Sequence, residues 1–222
     1  MSLTAAPELA RLLEHPAIWR GRSAARAAVW PTGYAALDAC LPGGGWPRSG
    51  LIEILLPRFG VGESYVLLPA LAAASGLAAA RWCVWVAPPL EPYAPALAAH
   101  GMSLERMLVV RAPEPLWALE QALASGACDA VLAWAARDPL PREIRRLQLA
   151  AERGRTLAVL FRPRRAARLS SPAILRLVIE PCAAGVRLDL LKSRGGSRGA
   201  IELAWPVSVT TPPAAAGASR GS

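Results

Sequence analysis

The segment Pro57-Arg58-Phe59-Gly60-Val61-Gly62-Glu63-Ser64 sets a glycine-bearing turn between an apolar run and an alanine-rich stretch. Proteins built as strand, loop and helix cradle phosphate groups at such a place. Set against G-x-x-x-x-G-K-[ST], Gly62 and Ser64 match, whereas Pro57 stands at the first glycine and Glu63 at the lysine. A phosphate loop works through backbone N–H groups and a lysine facing the phosphates. Proline has no N–H to offer, and Glu63 turns an attraction into a repulsion. One charge pair at ~4 Å is worth about 4 kcal/mol at an effective dielectric of ~20, so reversing its sign is severe. These residue types predict a degenerate loop (Pro57, Gly60, Gly62, Glu63, Ser64) that holds no nucleotide, and hence a chain that needs no cofactor.

The second chemistry-bearing set is arginine. The chain has 222 residues, 25 basic and 16 acidic, for a net charge of +9, and Lys192 is its single lysine. Residues 1–141 hold 10 basic and 11 acidic residues, and residues 142–198 hold 14 basic and 4 acidic. The excess positive charge is therefore confined to one segment. On a helical wheel of 141–153, Ile144, Leu147 and Ala151 share one face, and Arg142, Arg146, Leu149 and Arg153 share the opposite one. Arg162, Arg164, Arg165 and Arg168 form the densest cluster, and Lys192, Arg194 and Arg198 lie in a glycine-rich stretch. Guanidinium forks suit phosphate or carboxylate oxygens, so this set predicts contact with DNA or with an acidic partner, against the plain alternative of a solvated face. No aromatic residue interleaves the cluster, so base stacking is not indicated. Gln148-Leu149-Ala150-Ala151-Glu152 fails as a clamp-binding peptide, because Glu152 stands where an apolar anchor is needed.

Other chemistries are poorly served. Cys40, Cys83, Cys128 and Cys182 are scattered without a C-x-x-C pair, and His15 and His100 are isolated, so no metal site is expected. The cysteines read as reduced core thiols of a cytosolic protein. Met1 to Leu13 lacks the core of a signal peptide. The uncharged stretch Ser64 to Ala80 is alanine-rich, interrupted by Pro69 and Gly76, and too short to span a bilayer. The chain is expected to be cytoplasmic, without a membrane partner.

The elements that must position these residues alternate. Apolar runs at 51–56, 82–86, 107–110, 130–134 and 156–161 read as strands, separated by helices at 64–75, 92–100, 115–125 and 141–153. Such uninterrupted apolar strands require burial on both faces. The expected fold is α/β, a mostly parallel twisted sheet with helices on both faces. Runs at 175–180, 186–191 and 200–205 read as antiparallel strands extending its C-terminal end. Residues 1–28 read as an N-terminal helix and linker, 29–205 as the folded domain, and 206–222 as a disordered tail.

One further pattern carries a family resemblance. Trp30-Pro31-Thr32-Gly33-Tyr34-x-x-Leu37-Asp38, followed by Leu41-Pro42-Gly43-Gly44-Gly45-Trp46-Pro47 and Gly50-Leu51-Ile52-Glu53-Ile54, resembles the run before the phosphate loop of the RecA/RadA recombinases. By that resemblance the core is RecA-like, Pro88 replaces the catalytic glutamate and Trp134 replaces the Walker B aspartate. With Glu63 at the lysine, three catalytic parts are absent together, which implies a pseudo-ATPase and no enzyme. The length, His15-Pro16-x-x-Trp19-Arg20-Gly21 and Leu190-Leu191-Lys192-x-Arg194-Gly195-Gly196 make residues 12–205 resemble the ImuA-like accessory proteins of the RecA/SulA superfamily. That resemblance implies a non-catalytic role in SOS-induced translesion synthesis and mutagenesis, with nucleoid association during DNA damage. The partners it implies are an ImuB-like homologue of Y-family polymerases, an error-prone replicative-type polymerase subunit and RecA. Leu9, Leu12, Leu13 and Trp19 would grip such a partner. The alternative is a SulA-like cell-division inhibitor or a stand-alone modulator of RecA filaments.

Overall fold

The structure is a computed structural model, and it describes residues 28–135, 137–193 and 199–204. In chain order the described elements are β1 (Val29–Trp30), α1 (Ala35–Asp38), β2 (Trp46–Pro47), β3 (Gly50–Leu56), α2 (Leu68–Ser75), β4 (Trp82–Val86), α3 (Ala94–Ala99) and β5 (Met107–Val110). They continue with α4 (Pro115–Ala124), β6 (Cys128–Trp134), α5 (Pro141–Gly154), β7 (Leu157–Pro163), β8 (Leu175–Cys182), β9 (Gly185–Ser193) and β10 (Ala200–Ala204). Strands β1 and β2 pair as a small antiparallel ribbon. The other eight form one sheet in the order β10-β9-β8-β3-β7-β6-β4-β5.

Every residue of β3 and β6 is buried, as strands covered on both faces require. One core layer joins Leu51, Val131, Ala158 and Leu160 to Leu119, Leu123, Ile144 and Leu147 of α4 and α5. The opposite layer gathers Ile52, Ile54, Leu132, Val159 and Phe161 under short elements, with Leu37, Leu67 and Leu71 capping it. Arg81 fastens the end of the sheet where β4, β6 and β7 begin. Its Nε donates to Asp129 at 3.0 Å, and its terminal nitrogens donate to the carbonyls of Gly126, Gly154 and Arg155.

The expected RecA-like architecture is corrected here. The sheet is mixed, with β9 antiparallel to both of its neighbours, and five helices occur among the described residues. Of these, α1, α2 and α3 span 4, 8 and 6 residues. Prolines at 69, 92 and 95 and glycines at 76 and 101 break this part of the chain too often for long helices. The strand at 175–182 is also not antiparallel to the core, because it pairs parallel with β3 (Ile52 opposite Leu175, Ile54 opposite Leu177). After β7 the chain runs through a 3₁₀ turn (Arg164–Arg168) back to the start of the sheet, where the Ile174 N–H donates to the Leu51 carbonyl.

Candidate functional site

The loop 57–64 follows the C-terminal end of β3. There a cleft of about 270 Å³ opens between Gly60–Tyr65 and Pro88–Tyr93, floored by Trp85 and Trp134. Gly60 and Gly62 both take left-handed backbone angles, φ 80° and 89°, which side-chain-bearing residues rarely adopt. That geometry turns the Gly60 N–H inward, as in an anion-binding loop, but its acceptor is part of the chain. Both carboxylate oxygens of Glu63 lie 3.1 Å from the Gly60 nitrogen. The Trp134 indole N–H donates to the same carboxylate, also at 3.1 Å. Glu63 and Trp134 are buried, and the Trp134 ring stacks on Phe161 with centroids 4.6 Å apart.

Glu63 and Trp134, 71 residues apart in sequence, are therefore bonded to each other at the cleft floor. The Glu63 carboxylate accepts the inward-turned Gly60 N–H, and the Trp134 indole closes over it. Pro88, Pro89 and Pro92 line the opposite wall, and prolines have no N–H for a phosphate. Among the described residues no group of three or more His, Cys, Asp or Glu could hold a metal ion. The cleft's rim is apolar and projecting, with Leu90 and Tyr93 about 70% exposed.

The Thr32-Gly33-x-x-x-Leu37-Asp38 run makes a local clasp. The Thr32 N–H donates to Asp38 Oδ1 at 2.8 Å, and the Tyr34 N–H donates to Thr32 Oγ1 at 3.0 Å. Leu37 is wholly buried beneath it, and the Tyr34 hydroxyl donates to the Tyr65 carbonyl beside the cleft.

The predicted arginine contacts separate into different fates. Arg162 is not a surface contact: its side chain is fully buried, and its guanidinium donates to Glu53 Oε1 at 2.7 Å and to Asp138 at 3.3 Å. The Glu53 carboxylate also accepts from Arg176 Nε at 2.7 Å and Ser171 Oγ at 2.9 Å. Arg162 was misassigned because it ends an apolar strand and turns inward to the one carboxylate in the middle of β3. Arg164, Arg165 and Arg168 do sit on the exposed 3₁₀ turn, with Arg164 paired to Glu180 and Arg165 to Asp138. Lys192 donates to the Ser171 carbonyl.

Arg142, Arg146 and Arg153 are exposed on α5, and Ile144, Leu147 and Ala151 are buried on its other face. Arg146 makes a fork on Glu120 of α4. Arg137 does the same on Glu143, whose carboxylate also accepts the Leu140 N–H at the start of α5. The Arg137 hydrogen bonds, helped by the Leu140 N–H, hold the Glu143 carboxyl down to about 2. The exposure of Trp117 at 62% and of Trp82 at 40% has no signal in the apolar patterns of their elements. Leu9, Leu12, Leu13, Trp19, Arg194, Arg198 and the tail 206–222 lie outside the described residues.

Comparison with known proteins decides between the two family readings. The family model of the cell division inhibitor SulA matches residues 61–158. The cell division inhibitor SulA of Edwardsiella piscicida is 33% identical over 123 residues, which cover 53% of this chain and 70% of that protein. The chain belongs to the SulA family. SulA of Pectobacterium carotovorum subsp. carotovorum (strain PC1) is 33% identical over 86 residues, 37% of this chain and 51% of that protein. The chain thus spans about half the length of the Pectobacterium relatives it matches. The crystal structure of SulA from Pseudomonas aeruginosa aligns with a TM-score of 0.42 at 25% identity, covering 50% of this chain and 97% of that one.

Membership of the SulA family overturns the ImuA-like resemblance and what it implied. The translesion and mutagenesis role and the ImuB-like, polymerase and RecA partners all came with that resemblance. None has support in the SulA matches. The Thr32–Asp38 run, which carried the resemblance to the recombinases, makes a local clasp in this fold. SulA relatives are named for inhibition and not for a reaction they catalyse. Among the described residues no helix is long and apolar enough to cross a membrane.

Proposed function

We propose that this chain is a cytoplasmic inhibitor of cell division that acts by docking on a protein of the division machinery. The observation that carries this reading is the 33% identity over 123 residues to the cell division inhibitor of Edwardsiella piscicida, of which the chain covers 70%. The geometry supports docking over catalysis. The loop at the strand ends is closed on its own Glu63, and the cleft beside it is walled by prolines and tryptophans. A loop whose anion is internal turns over no nucleotide triphosphate, so inhibition proceeds without hydrolysis.

The test is induced expression in a rod-shaped bacterium, with cell length and septa scored by microscopy. The expected result is long cells without septa while growth in mass continues. Cells that divide at normal length with the chain abundant and folded overturn the reading.

A further inference from the structure

Folding pairs about half of the basic residues of 142–193 with carboxylates. Glu53, Asp138 and Glu120, from outside that segment, take up Arg162, Arg176, Arg165 and Arg146, while Glu180 and Asp189 take up Arg164 and Arg187. Among the described residues this leaves Arg142, Arg145, Arg153, Arg155 and Arg168 without an ion pair. All but Arg168 lie on α5 or at its C-terminal cap. Arg142, Arg145 and Arg153 are exposed, and Leu149 lies exposed among them. Of the carboxylates on this helix, Glu143 is held by Arg137, and Glu152 accepts from the Gln148 amide.

Beside this stripe, α4 presents Trp117. It lines a groove of about 160 Å³ between the two helices together with Glu114, Glu120, Glu143, Arg146 and Leu147, so the groove itself is acidic and apolar and the unpaired cations lie beyond it on α5. Two ion pairs, Arg146–Glu120 and Arg137–Glu143, brace that groove. An exposed indole on a braced helix pair, with an exposed arginine stripe along the neighbouring helix, has the composition of a protein-binding hot spot, where tryptophan and arginine predominate. Arginines without internal carboxylates complement an acidic surface, and such charges steer encounter and set register.

We infer that the outer face of α4 and α5, centred on Trp117, Arg142, Arg145, Leu149 and Arg153, docks an acidic surface of the division protein that this chain inhibits. The partner presents Asp or Glu side chains to the arginine stripe and an apolar side chain to Trp117 and Leu149. This inference rests on the inhibitor reading above and specifies the face that carries it.

The test compares wild type with the Arg142→Glu/Arg145→Glu/Arg153→Glu variant in the cell-length assay, with the thermal melt of each purified chain. The expected result is that the variant melts with wild type, and that cells expressing it return to uninduced length. The Lys triple variant at the same positions keeps most of the lengthening. If the triple Glu variant melts lower, the single Arg145→Glu and Trp117→Ser variants carry the test, each expected to shorten the cells. A folded triple Glu variant that lengthens cells as wild type does overturns the inference and leaves the inhibitor reading standing. Wild type that leaves cell length unchanged overturns both. Salt-sensitive binding of wild type to duplex DNA, lost in the triple Glu variant while cell lengthening persists, assigns the face to nucleic acid and overturns the inference.

Discussion

Replacing Arg162 by Met removes one side of a fully buried charge cluster. In wild type, Glu53 is held by Arg162 Nη1 at 2.7 Å, Arg176 Nε at 2.7 Å and Ser171 Oγ at 2.9 Å, and both Glu53 and Arg162 have no exposed side-chain surface. Taking away Arg162 leaves Glu53 with Arg176 and the serine, and leaves Asp138 with Arg165 alone. Breaking a buried pair by removing one partner costs about 3–5 kcal/mol, because the remaining charge stays desolvated. For a chain of this length each kcal/mol lowers the midpoint by about 2–4 °C, so the thermal midpoint is expected to fall by roughly 6–20 °C. Arg168→Ala on the neighbouring exposed turn is the control, expected within about 0.5 kcal/mol of wild type. Adding Glu53→Leu and Arg176→Met recovers part of the loss. Recovery stays incomplete, since Arg176 also donates to the carbonyls of Leu169 and Ala166. Calorimetry of the four chains decides the matter. An Arg162→Met chain melting within about 2 °C of wild type refutes the cluster as a stabilising unit.

Other outcomes follow from the same geometry. Trp134→Phe strips the Glu63 carboxylate of its buried indole donor and is expected to cost about 1–3 kcal/mol in urea unfolding. Glu63→Lys alone creates no nucleotide site, because the Trp134 ring still fills the floor, so titration calorimetry with magnesium-ATP is expected to show no binding. The Glu143 carboxyl is held down to about 2, so its stabilisation is complete above the usual carboxylate range near 4.3 and is lost as pH falls toward 2. Glu143→Gln is expected to flatten that acid limb of the melting curve. Burial pushes the Cys83 thiol up to about 12 and raises Cys128 as well. Labelling of the native chain at pH 8 is therefore expected to modify the half-buried Cys40 and Cys182 first, and Cys83 and Cys128 only on unfolding.

Much of the strand and helix order was legible because its signals are local. Trp82–Val86 and Met107–Val110 are apolar runs bounded by turn residues, and α5 shows a clean apolar face. The direction of β8 was not legible, because the 164–174 connection contains only a 3₁₀ turn and gives no periodic sign of a crossover. The site was half legible. Glu63 was legible as an unusual residue in its loop, but its partner Trp134 lies 71 residues away and nothing local couples them. Arg162 misled because an arginine after an apolar run usually marks a strand leaving the core. The counter-signal was Glu53, a single carboxylate inside the apolar run 51–56, since a charge placed there needs buried cations. The Thr32–Asp38 pattern misled in the opposite sense, as a spacing taken for ancestry that forms a turn clasp.

Titrating cell length against the number of chain molecules per cell tests the docking account most directly. An inhibitor that acts by occupying its target is expected to lengthen cells only when its copies approach those of a division protein, and then to saturate. The same threshold is expected for Ser64→Ala, since no step depends on nucleotide. Lengthening at copy numbers far below any division protein, or abolished by Ser64→Ala in a chain that still melts normally, contradicts the account in favour of catalysis. Normal cell length at every copy number contradicts inhibition itself.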